Sequence, residues 1–407
     1  MLSQELVDWL RLVLTPEIGS RRGKSLLERF KTPNAILEAP LEEIAQVENI
    51  GLSIARKIVE GRRKVDLARQ IKLIEKNNVT LIPLDSEFYP VNLKSIYDPP
   101  LVLFVKGEIL SQDYFSIAIV GTRLSSFYGR TMSEKISREL VEKGFTIVSG
   151  GARGIDTFSH QTALRTKGRT LAVLGCGLDT AYPFENKKLF EEITEHGALI
   201  SEFPLSTRPD KGNFPMRNRI ISGLSLGVVV VEAPHKSGAL ITVTHANEQG
   251  REVFSVPGHA DSFVSRGTNQ LLREGAKLVE NADDIIEELE PILRNKINEF
   301  RTEESDSSLR PSGFAQNDKV TPWALPQGQN DKLTQWALPQ GQNDKKENLS
   351  NEKENKLYEL ITCQAIPLDE LIEKSNLDVS QVSTILLSLQ IRKLIKQLPG
   401  KQFVRNA

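Results

Sequence analysis

The stretch F-T-I-V-S-G-G-A-R-G-I-D, Phe145 to Asp156, decides the fold: a short β-rich run, two adjacent glycines, a loop arginine and a helix start follow one another. Phe145, Ile147 and Val148 lack the polar alternation of a half-exposed strand, so the run predicts a strand buried on both faces. The same grammar recurs on either side. I-A-I-V-G from Ile117 precedes it, and T-L-A-V-L-G from Thr170, A-L-I-S-E from Ala198, L-G-V-V-V-V-E from Leu226 and E-V-F-S-V-P-G from Glu252 follow, with helix-period stretches between. This alternation predicts an α/β architecture, a Rossmann-like doubly wound parallel sheet.

Ligands of such sheets sit beyond the carboxyl ends of the strands, so the residues just after each run are the candidate site. Gly121, Thr122 and Arg123 follow the first run, and Ser149, Gly150, Gly151, Arg153 and Gly154 follow the second. G-C-G-L-D (Gly175 to Asp179) follows the third, N-F-P-M-R-N-R (Asn213 to Arg219) comes after the fourth, and S-G-A-L-I-T (Ser237 to Thr242) after the fifth. Glycine lets a backbone approach an anion closely, and helix starts supply free N–H donors, so phosphate is the expected guest. Arg123, Arg153, Arg217 and Arg219, from three separate loops, exceed what a lone nucleotide needs and suit a polyanion crossing the edge. The plainer reading of these arginines is surface salt bridges. Phe214, beside Asn213, either stacks on a base in a sequence-tolerant way or anchors its loop in the core.

Composition narrows the class. With 52 Lys and Arg against 53 Asp and Glu, the net charge of −1 excludes a globally basic surface. It does not exclude a local basic site, because potentials are felt within a Debye length of about 8–10 Å. Cys176 and Cys363 fall in different expected domains and outside any metal spacing, which fits a reducing, cytoplasmic compartment with no structural metal and no cofactor. The longest apolar run, Ile220 to Val231, is shorter than the roughly 20 residues of a membrane helix. The first residues carry Glu5 and Asp8 and no basic leader, so a targeting peptide is not expected there.

Four segments are expected along the chain. Residues 1–75 are helical in pattern, and T-P-E-I-G-S from Thr15 resembles V-E-N-I-G-L-S from Val47: an outline of a helix-hairpin-helix, or else a plain helical packing module. Residues 76–294 form the sheet domain, entered through a Pro- and Asp-rich stretch. Residues 295–354 read as a disordered linker in which Q-N-D-K-V-T-P-W-A-L-P-Q-G, from Gln316, recurs after 13 residues from Gln329. Trp323 and Trp336 in that repeat are a docking motif or the residue of a tandem duplication. Residues 355–407 suggest three helices and a hairpin around Pro399-Gly400, a winged-helix unit whose third helix is poor in Lys and Arg, so protein contacts fit it as well as duplex DNA.

Taken together, I-V-G-T-R, S-G-G-A-R-G-I-D, G-C-G-L-D with Tyr182-Pro183, S-E-F-P-L, N-F-P-M-R-N-R-I-I-S-G-L-S, S-G-A-L-I-T and V-P-G with G-T-N resemble, in order, the motifs of the DNA-processing protein A (DprA/Smf) family. The resemblance covers about Leu81 to Leu289. It implies a non-enzymatic, dimeric protein that binds single-stranded DNA and loads RecA recombinase onto it during natural transformation. It also adds Lys188 and Lys211 to the expected DNA-binding residues. The linker repeat lies outside the family pattern.

The competing reading is an enzyme: the lysine-decarboxylase-like phosphoribohydrolases share this broad fold and bind phosphate at the same edge. They depend on P-G-G-x-G-T-x-x-E, and the corresponding S-G-A-L-I-T-V-T here has no acid to stabilise a sugar cation or activate water. G-S-R-R-G-K-S near residue 20 mimics a P-loop without its spacing or preceding strand, and G-L-S-L-G from Gly223 lies before a strand where a nucleophile elbow needs one behind it. Asp156, Asp179, Glu202 and Glu232 are expected to cap helices and loops.

Overall fold

The computed structural model describes residues 2–305 and, beyond them, 357–358, 360–361, 366–375, 377, 382, 385–386, 389, 395–398 and 402–405. The chain divides into two units, residues 1–337 and 338–407.

The first unit opens with six helices: α1 Gln4–Leu14, α2 Ser20–Phe30, α3 Pro33–Glu38, α4 Leu41–Ile44, α5 Leu52–Gly61 and α6 Leu67–Lys76. Ser3 caps α1 by accepting from the Leu6 N–H, Thr32 caps α3 and Asp66 caps α6, each replacing a lost helical partner for an orphan N–H. Gly19 and Gly51 occupy the N-cap positions of α2 and α5 with no side-chain cap, so both hairpin turns leave their first N–H groups open. These helices do not enclose a core of their own: Trp9, Leu10, Leu26 and Ile58 are continuous with Phe104, Leu174 and Phe190 of the sheet domain.

The sheet domain alternates strands and helices: β1 Thr80–Pro83, α7 Val91–Lys94, β2 Val102–Gly107, β3 Ser116–Val120, α8 Phe127–Glu142, β4 Thr146–Ser149, α9 Ile155–Arg165, β5 Thr170–Val173, α10 Lys187–His196, β6 Gly197–Ser201, α11 Asn213–Leu224, β7 Gly227–Val230, α12 Gly238–Glu248, β8 Glu252–Ser255, α13 Arg266–Arg273, β9 Lys277–Leu278 and α14 Ala282–Ser305. The strands form one nine-stranded sheet in the order β1-β2-β6-β5-β4-β3-β7-β8-β9. From β6 to β9 all pairings are parallel, as the unalternating runs predict, while β1 and β2 join antiparallel at one edge. Burial on both faces is visible residue by residue. Ile117 and Ile119 pack with Ile136, Leu140 and Leu289 on one face, and Ala118 and Val120 pack with Ile220, Leu224 and Val243 on the other. The direction of winding reverses between β3 and β7, which opens a crevice at the carboxyl edge there.

Helix α14 runs to Ser305, so the expected linker does not begin at 295; the repeat and both its tryptophans lie outside the described residues. In the second unit, α15 (Leu368–Ser375) follows β10 (Ile366–Pro367), and β11 (Ile395–Leu398) pairs antiparallel with β12 (Gln402–Arg405) in a β10-β12-β11 sheet. Leu357, Leu371, Leu386 and Phe403 share one small core, the helix-plus-hairpin arrangement of a winged helix. Pro399 and Gly400, the expected hairpin turn, are outside the described residues. Among the described residues no helix is long and apolar enough to cross a membrane, and no group of three metal-ligating side chains gathers.

Candidate anion-binding site

The loops after β3 and β4 interlock before either reaches a ligand. The Thr122 N–H donates to the Glu232 carbonyl at 2.7 Å, and the Thr122 carbonyl accepts from the Ile155 N–H at 3.3 Å. Gly154 has φ +77°, and a Cβ there would collide with the Thr122 carbonyl, so only glycine allows the two loops to meet. The Ser149 hydroxyl is buried and donates to the Ile119 carbonyl at 2.6 Å. Gly121, Thr122, Ser149, Gly151 and Gly154 are therefore the frame of the site.

The surface of the site is a shallow pocket of about 40 Å³, open to solvent, lined by Arg123, Gly150, Ala152, Arg153, Gly175, Tyr182, Pro183, Phe214 and Arg217. Three loops, those after β3, β4 and β5, and the first turns of α11 contribute. The Phe214 ring forms one wall: it stacks on Tyr182 with centroids 5.5 Å apart and 28° between planes, and it covers Gly175, where a Cβ would lie 2.8 Å from the ring. The Arg123 guanidinium stands 5.6 Å from the Phe214 centroid and that of Arg217 5.9 Å. Arg123 and Arg153 are exposed, and Arg153 is ion-paired with the equally exposed Glu185.

Arg217 differs from the other two. It is buried, donates from Nη1 to the carbonyls of Gly150, at 2.6 Å, and of Val173, and forms the floor of the pocket. Burial lowers its pKa to about 10, with Asp156 opposing that shift and Arg123 adding to it, so the floor stays cationic at neutral pH. Beneath it Asp156 accepts from the Ala152 N–H at 3.2 Å; burial pushes this carboxyl up to about 6 against the pull of Arg217. His160 is pushed down to about 3 by burial and by Arg217, and the Cys176 thiol is pushed up to about 11, chiefly by burial.

Arg219 needs correction, and three other expected residues, none of them part of the frame, lie outside the pocket lining. Arg219 does not face the pocket: it is buried, donating from Nη2 to Glu202 Oε2 at 2.5 Å and to Ser20 Oγ at 2.9 Å, with Asp98 Oδ2 3.5 Å from its Nε. The reason is helical geometry. The N-F-P-M-R-N-R string is not a loop but the start of α11, and residues two apart on a helix point about 200° apart, so Arg217 and Arg219 leave on opposite sides. The four expected arginines thus become three at the pocket, Arg123 and Arg153 exposed and Arg217 at its floor. Lys188 and Lys211 are exposed but outside the lining, as is half-buried Asn213. Of the acids expected to cap, Glu232 accepts from the N–H and hydroxyl of Ser126 at the start of α8, Asp179 accepts from Ser206 and Asp156 from the Ala152 N–H, whereas Glu202 pairs with Arg219 instead.

Gly175, expected from its place after the third run, also lines the pocket, as do Tyr182, Pro183 and Ala152, which sequence reasoning did not assign to the site. Tyr182 carried a usable signal, since it lies in the loop after β5 on the carboxyl edge, where an aromatic has no core to fill. The whole arrangement presents two exposed guanidiniums and one buried one beside a two-ring aromatic wall. It can hold anionic oxygens and a flat group at the same time.

Three family models match this sequence: DNA recombination-mediator protein A over residues 80–290, the DprA winged helix domain over 343–401 and a helix-hairpin-helix motif over 12–63. Protein Smf of Synechocystis is 34% identical over the full length of both chains. The DNA processing protein DprA of Bacillus subtilis is 43% identical over 65% of this chain and 89% of its own. The X-ray structure of DNA processing protein A from Streptococcus pneumoniae superposes with a TM-score of 0.61 at 35% identity, covering 69% of this chain and 97% of that one.

Proposed function

The chain belongs to the DNA recombination-mediator protein A family, and from that premise we propose that it binds single-stranded DNA at the pocket and hands it to a recombinase. The observation that carries this reading is the meeting of exposed Arg123 and Arg153 and buried Arg217 with the Tyr182–Phe214 wall in one pocket. Two exposed cations with a third at the floor suit successive phosphates better than a single one, and the Tyr182–Phe214 ring pair suits an unpaired base. The partner is RecA recombinase, the working state a homodimer in the cytoplasm, and the setting the processing of DNA taken up in natural transformation.

The binding is non-covalent. Among the described residues, the carboxylates at the pocket are committed elsewhere: Asp156 is buried and receives the Ala152 N–H, and Glu185 is held by Arg153. Neither is placed as one of a pair flanking a glycosidic bond. The deciding experiment compares anisotropy isotherms of a fluorescent oligothymidylate and a duplex of equal length, followed by RecA filament assembly on the bound strand. Preferential binding of the single strand and faster assembly are expected. Equal binding of the duplex, or release of free base from nucleoside monophosphates, contradicts the proposal.

A further inference from the structure

Exposed apolar side chains are unevenly distributed over the sheet domain. Tyr182 lines the pocket just described, and exposed Phe184 and Met216 are sequence neighbours of its lining residues Pro183 and Arg217. A second group comes from the segments that follow β3 and β8: Leu124, 84% exposed, next to Arg123, Phe127, 85% exposed, at the start of α8, and Phe263, 63% exposed, between β8 and α13. The two loops are two inter-strand steps apart, about 10 Å.

We propose that this flank is a second nucleotide subsite, which takes unpaired bases of a strand whose phosphates are held at Arg123; the inference rests on the reading of the pocket as a single-strand site. Continuity is direct, because Leu124 follows Arg123 in the chain. The platform is fixed. The Tyr128 hydroxyl donates to the Pro257 carbonyl at 2.8 Å, joining the loops after β3 and β8, and the Gly267 N–H donates to the Ala233 carbonyl at 2.7 Å, joining the loops after β7 and β8.

Electrostatics select bases over phosphates at Phe127. It is the first residue of α8, and a helix start attracts anions. Here the Glu232 carboxylate already occupies that start, accepting from the Ser126 N–H at 2.9 Å and the Ser126 hydroxyl at 2.5 Å. A phosphate is repelled from it, whereas the adjacent ring remains open to a neutral base. Phe263 has the Arg266 guanidinium 5.9 Å from its centroid, a cation placed to meet the backbone of a base stacked on the ring. Bases inside a duplex cannot reach either ring, so the flank adds preference for single strands.

The test uses the full chain, a Phe127→Ala/Phe263→Ala double variant and Arg123→Ala. The probes are oligothymidylates of about four and about twenty nucleotides and an abasic strand of the longer length. The double variant is expected to lose roughly tenfold affinity for the long strand, with the short and abasic strands unchanged. Restoring Phe127 as Phe127→Trp in the Phe263→Ala background should recover part of the loss. Unchanged affinity for the long strand overturns the proposal, with the patch then belonging to a protein partner or a second copy of the chain. Weak binding by Arg123→Ala in that same experiment would leave the pocket reading intact. If the unaltered chain binds neither strand, both readings fall.

Discussion

The Arg217 guanidinium reaches under the glycine loop and donates to the Gly150 carbonyl at 2.6 Å, so one buried cation supports the floor of the pocket and the backbone that shapes it. It also donates to the Val173 carbonyl, which ties the loop after β4 to the end of β5. Arg217→Ala leaves both carbonyls unpaired and removes the charge that balances Asp156. A loss of about 2–4 kcal/mol of stability is expected in urea unfolding. Arg217→Lys should recover only part of it, because an ammonium cannot fork between the two carbonyls.

Arg219→Ala tests the corrected assignment. Removing this guanidinium strands the buried Glu202 carboxylate, so about 3 kcal/mol of stability should be lost. Because the residue faces the Ser20 side of α11 and not the pocket, the folded fraction should bind single-stranded DNA as the unaltered chain does.

Asp156 and His160 shape the pH dependence in opposite directions. The folded pKa of Asp156, about 6, is above its ordinary value of 3.8, so the folded state binds the extra proton and stability falls as pH rises through that window, by about 3 kcal/mol. The folded pKa of His160, about 3, is below its ordinary 6.5, so stability is lost as pH falls through that window. Between about pH 4 and pH 6 the two slopes nearly cancel. Urea midpoints of the unaltered chain should be flat over that range, whereas those of Asp156→Asn should rise with pH because the histidine slope is then unopposed. An identical profile for the two proteins contradicts the assignment.

Glu185 competes with DNA for Arg153. Its carboxyl is held below the usual range by its own backbone N–H and then by Arg153, so it is ionised at neutral pH. Glu185→Gln frees the guanidinium and should raise affinity for oligothymidylate by roughly threefold at low salt, the gain fading as salt screens both partners. Anisotropy at two salt concentrations reads this directly.

The strand grammar was legible because Ile117 to Val120 and Val228 to Val231 carry no polar alternation, which only a two-faced buried strand tolerates. The short β-type runs between Val79 and Gly107 were legible as an entry segment, but their antiparallel pairing as β1 and β2 was not, because it depends on partners distant in sequence. At the site, the glycines and Arg123 were readable from their place after strands. Arg219 was misread because the string holding it was taken as loop; a helical reading from Asn213 puts Phe214 and Arg217 on one face and Arg219 on the other. The commitment of Arg153 to Glu185 left no trace in the sequence, as 32 residues separate them.

The most direct test of the phosphate-gripping rim is the salt dependence of oligothymidylate binding by the unaltered chain and by Arg123→Ala, measured by fluorescence anisotropy. The rim predicts a steep log–log slope, reduced by about one in the variant, with affinity lowered alike for thymidylate and mixed-sequence strands. An Arg123→Ala protein that binds as tightly as the unaltered chain at low salt, with the same slope, would show that the strand lies elsewhere.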